Sequence, residues 1–188
     1  MAKETYDTWL KKEFDALIDT LTPLSDLQKR FVRSRWLDQV LWLEKKAKGS
    51  QRRYYGLRVI TIAGGVVVPA LVSLSIQSNK VTSALAWITF SLSLLVALAA
   101  ALEGFFRFGD RWRNYRHSAE TLKSEGWRFF ELAGAYAPHR THDEAFPAFA
   151  AQVEALIQAE VEGYISRVVQ EPTKKEQEGQ AGAAVARS

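Results

Sequence analysis

Two uncharged stretches dominate the middle of the chain. The first, VITIAGGVVVPALVSLSIQSN, runs from Val59 to Asn79; after Lys80 the second, VTSALAWITFSLSLLVALAAAL, runs from Val81 to Leu102. Each has about 20 residues, and at about 1.5 Å per residue such a helix matches a hydrocarbon core of about 30 Å. In lipid every backbone amide must be bonded within its own segment, so helix is the expected state of both. The turn Gln77-Ser78-Asn79-Lys80 is polar and short, which makes the helices antiparallel neighbours. A buried hairpin of a soluble domain, or a pair of strands from the Val-rich run, does not account for two spanning lengths parted by one charge.

Outside the hairpin the periodicity is also helical. Tyr6, Trp9, Leu10, Phe14, Leu17, Ile18 and Leu21 mark an amphipathic helix that Pro23 ends. Ser25 caps the next, with an apolar stripe of Leu27, Phe31, Trp36, Val40, Leu43 and Ala47, and only Gly49 opposes its running on into the first span. After the second span, Phe108, Trp112, Tyr115, Ala119, Leu122, Phe129, Ala133 and Tyr136 keep a helical repeat. No proline falls between Pro69 and Pro138, so the second spanning helix is expected to continue. Thr141 with Glu144 forms a capping-box pair for a last helix that tolerates Pro147 early. Phe149, Val153, Leu156, Ile157, Tyr164, Ile165 and Val168 are its expected buried face.

The fold class is therefore an all-α membrane protein. A two-helix transmembrane hairpin continues into long cytoplasmic helices, and N- and C-terminal amphipathic helices complete a cytoplasmic helical bundle. By segment, residues 1–56 are N-terminal cytoplasmic helices, 57–79 the first transmembrane helix, and 80–103 the turn and second transmembrane helix. Residues 104–170 are C-terminal cytoplasmic helices, and 171–188 form a tail expected to be disordered for want of bulky apolar residues.

Composition hides this layout. The 188 residues are 47% hydrophobic and 24% charged, and the mean hydropathy of −0.16 averages an apolar middle with charged flanks. The net charge of +4 has a spatial meaning. Lys45, Lys46, Lys48, Arg52, Arg53 and Arg58 precede the first span, Arg107, Arg111, Arg113 and Arg116 follow the second, and Lys80 alone lies on the hairpin side. By the positive-inside rule both termini are expected to be cytoplasmic, and the chain is expected to be a multi-pass membrane protein. The same arginines and lysines are placed to meet anionic lipid headgroups rather than nucleic acid. Residues 1–7 lack the apolar core of a signal peptide, so insertion is expected to depend on the internal stretches.

Inside the spans, Ala97 and Ala101 follow Ser93 at four-residue spacing, a small-residue stripe suited to close helix packing. Gly64, Gly65 and Pro69 give the first span a candidate hinge, because Pro69 lacks the amide that the carbonyl of Gly65 would receive. The polar residues there are hydroxyls; Thr61, Ser73, Thr89 and Ser93 are the candidates to line a pore, and Glu103 is the candidate acid at a pore mouth. No ionisable group lies at mid-span, which disfavours a proton relay or a tight ion site.

Catalytic chemistry has little to work with. The chain has no cysteine, so disulfides, thiolate metal sites and a cysteine nucleophile are excluded. His139 and His142 share a loop with Asp143 but lack a further ligand, and read as solvated loop residues; His117 sits among Arg116, Glu120 and Lys123. No phosphate loop, dinucleotide fingerprint or zincin motif occurs, so no enzyme, metal or cofactor is expected.

Just beyond the second span the chain reads Trp112-Arg113-Asn114-Tyr115-Arg116, then Ala119-Glu120, Leu122-Lys123 and Glu125. This W-x-N-Y-R-x-x-A-E-x-L-K-x-E run after a two-helix hairpin resembles the SLATT families of bacterial two-transmembrane proteins, of the kind catalogued as domain of unknown function 4231. Arg53-Tyr54-Tyr55 before the first span, Pro69 within it and Val153-Glu154-Ile157-Glu160 on the last helix fit the same pattern. The resemblance implies an oligomeric pore-forming or channel-like effector of a bacterial conflict or defence system, triggered by a nucleotide-dependent cytoplasmic regulator or partner protein. Two helices alone enclose no aqueous path, so a pore requires a homo-oligomer. The other expectation is a membrane-anchored scaffold that docks a cytoplasmic partner through its bundle. Within the motif, Arg116 and Glu120 form an i,i+4 pair, and Trp112 and Tyr115 are expected on the buried side.

Overall fold

Ser25 shows how local chemistry sets the helix boundaries. Its hydroxyl accepts the Gln28 N–H at 3.3 Å while the Gln28 side chain accepts the Ser25 N–H at 2.7 Å, a reciprocal cap. The computed structural model describes residues 6–77 and 83–185, with side chains for 6–74 and 84–163. The turn at 78–82, with Lys80, lies outside the described residues, as do the side chains of Ser75, Ser83, Tyr164, Ile165 and Val168. Every element among the described residues is helical. They are α1 (Tyr6–Thr20), α2 (Asp26–Phe31), a π-helical turn (Val32–Leu37), α3 (Asp38–Gln77), α4 (Ser83–Phe106), α5 (Phe108–Phe130), a 3-10 turn (Gly134–Tyr136) and α6 (His142–Val185).

The chain divides into two compact units. One comprises Met1–Asp7 and Val40–Ala119; the other comprises Thr8–Gln39 and Glu120–Ser188. These boundaries fall outside the apolar stretches, because α3 is continuous through Gly49 and Pro69 and carries its pairing well beyond the uncharged residues.

In the first unit α3 and α4 are antiparallel. Gly64 and Val96 stand equally far along their helices from Gln77 and Ser83, and a Cβ built on Gly64 would lie 2.0 Å from the Val96 methyl. The less exposed positions keep a helical period on both helices: Leu57, Thr61, Gly64, Val68 and Leu71 on α3, and Leu85, Thr89, Leu92, Val96, Ala99 and Glu103 on α4. The rest of the hairpin is open. Of the most apolar eighteen-residue stretch of each helix, 6% is buried within the chain.

The second apolar helix does not run on unbroken. α4 ends at Phe106, Arg107 takes a left-handed φ of 47°, and its carbonyl accepts the Asp110 and Arg111 N–H groups at 3.1 Å to open α5. The absence of proline left that break invisible. Its packing counterpart is Gly109, where an added Cβ would come within 2.8 Å of the Tyr54 ring.

The core of the second unit is aromatic. Phe14, Trp36, Phe129, Tyr136 and Phe149 are fully buried with Ile18, Val32, Leu37 and Val153. Phe129 stacks on Phe149 at 4.2 Å between centroids, and Phe14 meets the Trp36 ring edge-on at 5.0 Å. Each such side chain contributes on the order of 1.5–3 kcal/mol by leaving water. At the π turn the Asp38 N–H bonds to the Arg33 carbonyl five residues back, and the extra residue per turn brings both Trp36 and Leu37 inside. α6 opens as its spacing predicts, with Thr141 Oγ1 accepting the Glu144 N–H at 3.3 Å. It continues to Val185, past Glu171, where disorder was the sequence expectation. The residues there are rich in Lys, Glu, Gln and Ala, which favour helical backbone even where few apolar side chains are present to pack.

Candidate functional site

The hydroxyls of the hairpin face inward along its seam. Thr61 donates to the Leu57 carbonyl at 3.0 Å, Thr89 to Leu85 at 2.9 Å and Ser93 to Thr89 at 2.8 Å, and all three are half-buried. Such bonds satisfy the hydroxyl within its own helix. Ser73, in contrast, is exposed. Glu103 is half-buried near the end of α4, and its carbonyl accepts the Arg107 N–H at 2.9 Å.

The packing residues differ in part from those the sequence suggests. Gly64 holds the close approach, while Gly65 and Pro69 are exposed and nothing lies within 4 Å of a Cβ at Gly65. On α4, Val96 and Ala99 face the seam; Ala97 and Ala101 are exposed within the chain. Of the small-residue stripe, Ser93 turns to the seam and Ala97 and Ala101 do not, since spacing alone does not say which face meets the sister helix.

Beyond the apolar stretches, in the same unit, the motif residues anchor the paired helices. Trp112 stacks with Tyr54 at 6.3 Å and 22° and tilts against Tyr55 at 5.8 Å. Tyr115 is met edge-on by Trp42 at 5.9 Å. Arg116 pairs with Glu44 at 3.0 Å, a carboxylate with only 6% of its side chain exposed, so its acid lies on α3 rather than only one turn along α5. Asn114 is half-buried, and Ala119 is buried completely. Two cations cover aromatic rings there: Arg53 lies over Phe108 at 5.8 Å and Arg58 over Tyr54 at 5.5 Å, and Arg58 also bonds the Tyr54 hydroxyl.

The rest of the motif belongs to the second unit. The Trp36 indole N–H donates to the Leu122 carbonyl at 2.8 Å, and its ring sits where a side chain at Gly126 would be. Glu120 accepts Lys123 Nζ at 2.9 Å. Glu125, 5% exposed, accepts the Tyr136 hydroxyl at 2.5 Å and Arg128 at 3.3 Å. Burial raises the Tyr136 phenol pKa well above its ordinary value, and the bond to Glu125 adds to the shift. Neither Trp36 nor Gly126 was singled out as a motif position, although the five-residue gap between Phe31 and Trp36 in the apolar stripe is the mark of a π turn.

His142 is not a solvated loop residue. It is the first residue of α6, with Nε2 3.0 Å from the Phe130 carbonyl and its ring 5.5 Å from Phe129. Asp143 accepts the Gln28 amide at 2.7 Å. Among the described residues no group of His, Asp and Glu has the arrangement of a metal site.

The features together define a class: all-helical proteins with two helices long and apolar enough to cross a membrane, tied by an aromatic and ionic motif at the base of the hairpin. The chain belongs to the family described as protein of unknown function (DUF4231), which it matches over residues 38–144, from the start of α3 to the first turn of α6. No curated protein and no solved structure matches it.

Proposed function

We propose that the protein is a multi-pass protein of the bacterial inner membrane. On this reading α3 and α4 cross the bilayer as a hairpin, and both termini are cytoplasmic. One observation carries it: each helix exposes nearly all of its most apolar stretch, with 6% buried. A core helix of a soluble domain hides such a face, whereas lipid solvates it. The arginines and lysines that flank the two stretches set the orientation. Carbonate extraction of membranes, with cysteine accessibility at Lys80 and at Lys11, tests both parts. Release of the chain into the wash, or labelling of both positions from one side, sinks the reading.

Within the membrane, the chain acts as an oligomeric, channel-like effector of the SLATT type, without catalysis of its own. A cytoplasmic nucleotide-dependent regulator controls it. Support comes from the family motif and from the exposed faces that several copies can share. The oligomer reconstituted in liposomes is expected to pass ions; sealed vesicles containing a verified oligomer count against it. A second reading, a membrane-anchored scaffold, is favoured by the apolar side chains exposed on the second unit, Leu27 at 78% and Trp9 and Trp127 near half. It predicts a specific co-purifying protein and no conductance.

A further inference from the structure

Arginines divide by what they face, and those without a carboxylate gather mostly at the base of the hairpin, with Arg30 and Arg140 of the second unit apart from them. Arg33, Arg35, Arg116 and Arg128 each lie within salt-bridge distance of a carboxylate. Arg52, Arg53, Arg58, Arg111 and Arg113 have no such partner among the described residues, and all five are exposed. The acids nearby do not offset them. Asp110 is held by Arg107 at 2.9 Å, and Glu103 is half-buried on α4.

Two of the five are held over rings. Arg53 lies over Phe108, and Arg58 lies over Tyr54. A guanidinium held over a ring has five N–H donors; Arg58 gives one to the Tyr54 hydroxyl, and the donors that remain on each arginine fit oxygens of a phosphate. Arg111 stands one turn along α5 from Phe108. Phe105, 79% exposed, and Tyr55, about half exposed, add apolar and amphipathic surface at the same level of the chain. Unpaired cations, stacked aromatics and the ends of two apolar helices therefore coincide.

We infer that this collar is a binding surface for anionic phospholipid headgroups, with Arg53, Arg58 and Arg111 donating to the phosphodiester oxygens. It rests on the membrane reading given above and deepens it: the arginines are ligands for a lipid as well as a signal for topology. Unpaired arginines that served orientation alone would show no preference among lipids once the chain is inserted.

The test uses the full chain in neutral detergent micelles, where orientation plays no part. Thermal unfolding is followed while short-chain phosphatidylglycerol, phosphatidylcholine of the same chains, or inorganic phosphate is added. Phosphatidylglycerol is expected to raise the unfolding temperature at roughly tenfold lower concentration than phosphatidylcholine. The triple variant R53Q/R58Q/R111Q is expected to lose that preference. A control with three exposed cations of the second unit replaced, K11Q/R30Q/R140Q, is expected to keep it. Equal response to the two lipids, or equal loss in the control, overturns the inference. So does a matching shift with inorganic phosphate alone, which would make the surface a free-anion site. If the triple variant does not fold, R111Q alone is expected to weaken the preference by roughly threefold, and an unchanged preference overturns the inference. A chain that pellets with vesicles yet shows no preference sinks only the collar; one that stays dissolved without detergent sinks the membrane reading.

Discussion

Trp36 and Gly126 fit one another as ring and gap: a Cβ at Gly126 would lie 2.0 Å from the indole, whose N–H reaches the Leu122 carbonyl at 2.8 Å. The atoms in the way are the rigid ring of a fully buried tryptophan, so they cannot swing aside. Gly126→Ala is therefore expected to destabilise the second unit by about 1–3 kcal/mol, despite the better helix propensity of alanine. Thermal unfolding by circular dichroism reads this. A variant as stable as the parent would mean that the ring has room to move. Trp36→Phe removes the bond and empties part of the indole's space, and is expected to cost at least about 1–3 kcal/mol.

Gly64 and Gly65 provide a matched pair inside the hairpin. Gly64 is pressed by Val96 and Gly65 by nothing. Gly64→Ala is expected to weaken the association of α3 with α4 by about 1–3 kcal/mol. Gly65→Ala is expected to be neutral or to gain up to about 1 kcal/mol from propensity. Crosslinking yield between cysteines placed at Leu57 and Glu103 checks the order; equal effects of the two substitutions would place the seam elsewhere.

The Arg35–Glu154 pair predicts an acid limb in stability. Bidentate hydrogen bonds at 2.6 Å hold the Glu154 carboxyl below the usual carboxylate range, so the folded state binds its proton less readily than the unfolded one. The contribution is then fully present above the ordinary pKa of about 4.3 and is lost as pH falls through the lowered folded value. Both side chains are more than a third exposed, so the effect stays below about 1 kcal/mol. Glu154→Gln should flatten that part of the stability profile, from about pH 5 down to the acid transition. A parallel profile would remove the pair from the account.

Arg107 bears a left-handed backbone without being glycine. Arg107→Gly is expected to gain about 1 kcal/mol by removing the clash of Cβ with the carbonyl, less the small contribution of the exposed pair with Asp110. Arg107→Val should lose more than it keeps, since a β-branched residue suits that φ worst. Thermal unfolding of the two variants decides; a loss of stability on substitution by glycine would mean that the break is not strained.

These cases separate what the residues announce from what packing decides. The hairpin was legible because charge is missing from two spanning lengths, and the motif was legible because Trp112, Tyr115 and Arg116 keep their order along one helix. The caps at Ser25 and Thr141 were legible because they are local. The break at Arg107 was not, since no residue there forbids a helix; it goes with Tyr54, over fifty positions upstream on α3, seated against Gly109. Which face of α4 meets α3 is likewise decided by packing. Ala97 and Ala101 look like a packing stripe until Val96 is seen against Gly64, which turns the helix so that they point away.

The contact of Gly64 with Val96 also bears on permeation. Where the Val96 side chain fills the space beside Gly64, a file of water molecules has no width to thread, so a single copy of this hairpin is closed at that level of its midline. Any conduit must then lie between neighbours, walled by outward positions such as Ser73 and Ala97 rather than by the inward hydroxyls of Thr61 and Thr89. Leak through such a conduit would climb steeply with the surface density of the protein and vanish at infinite dilution.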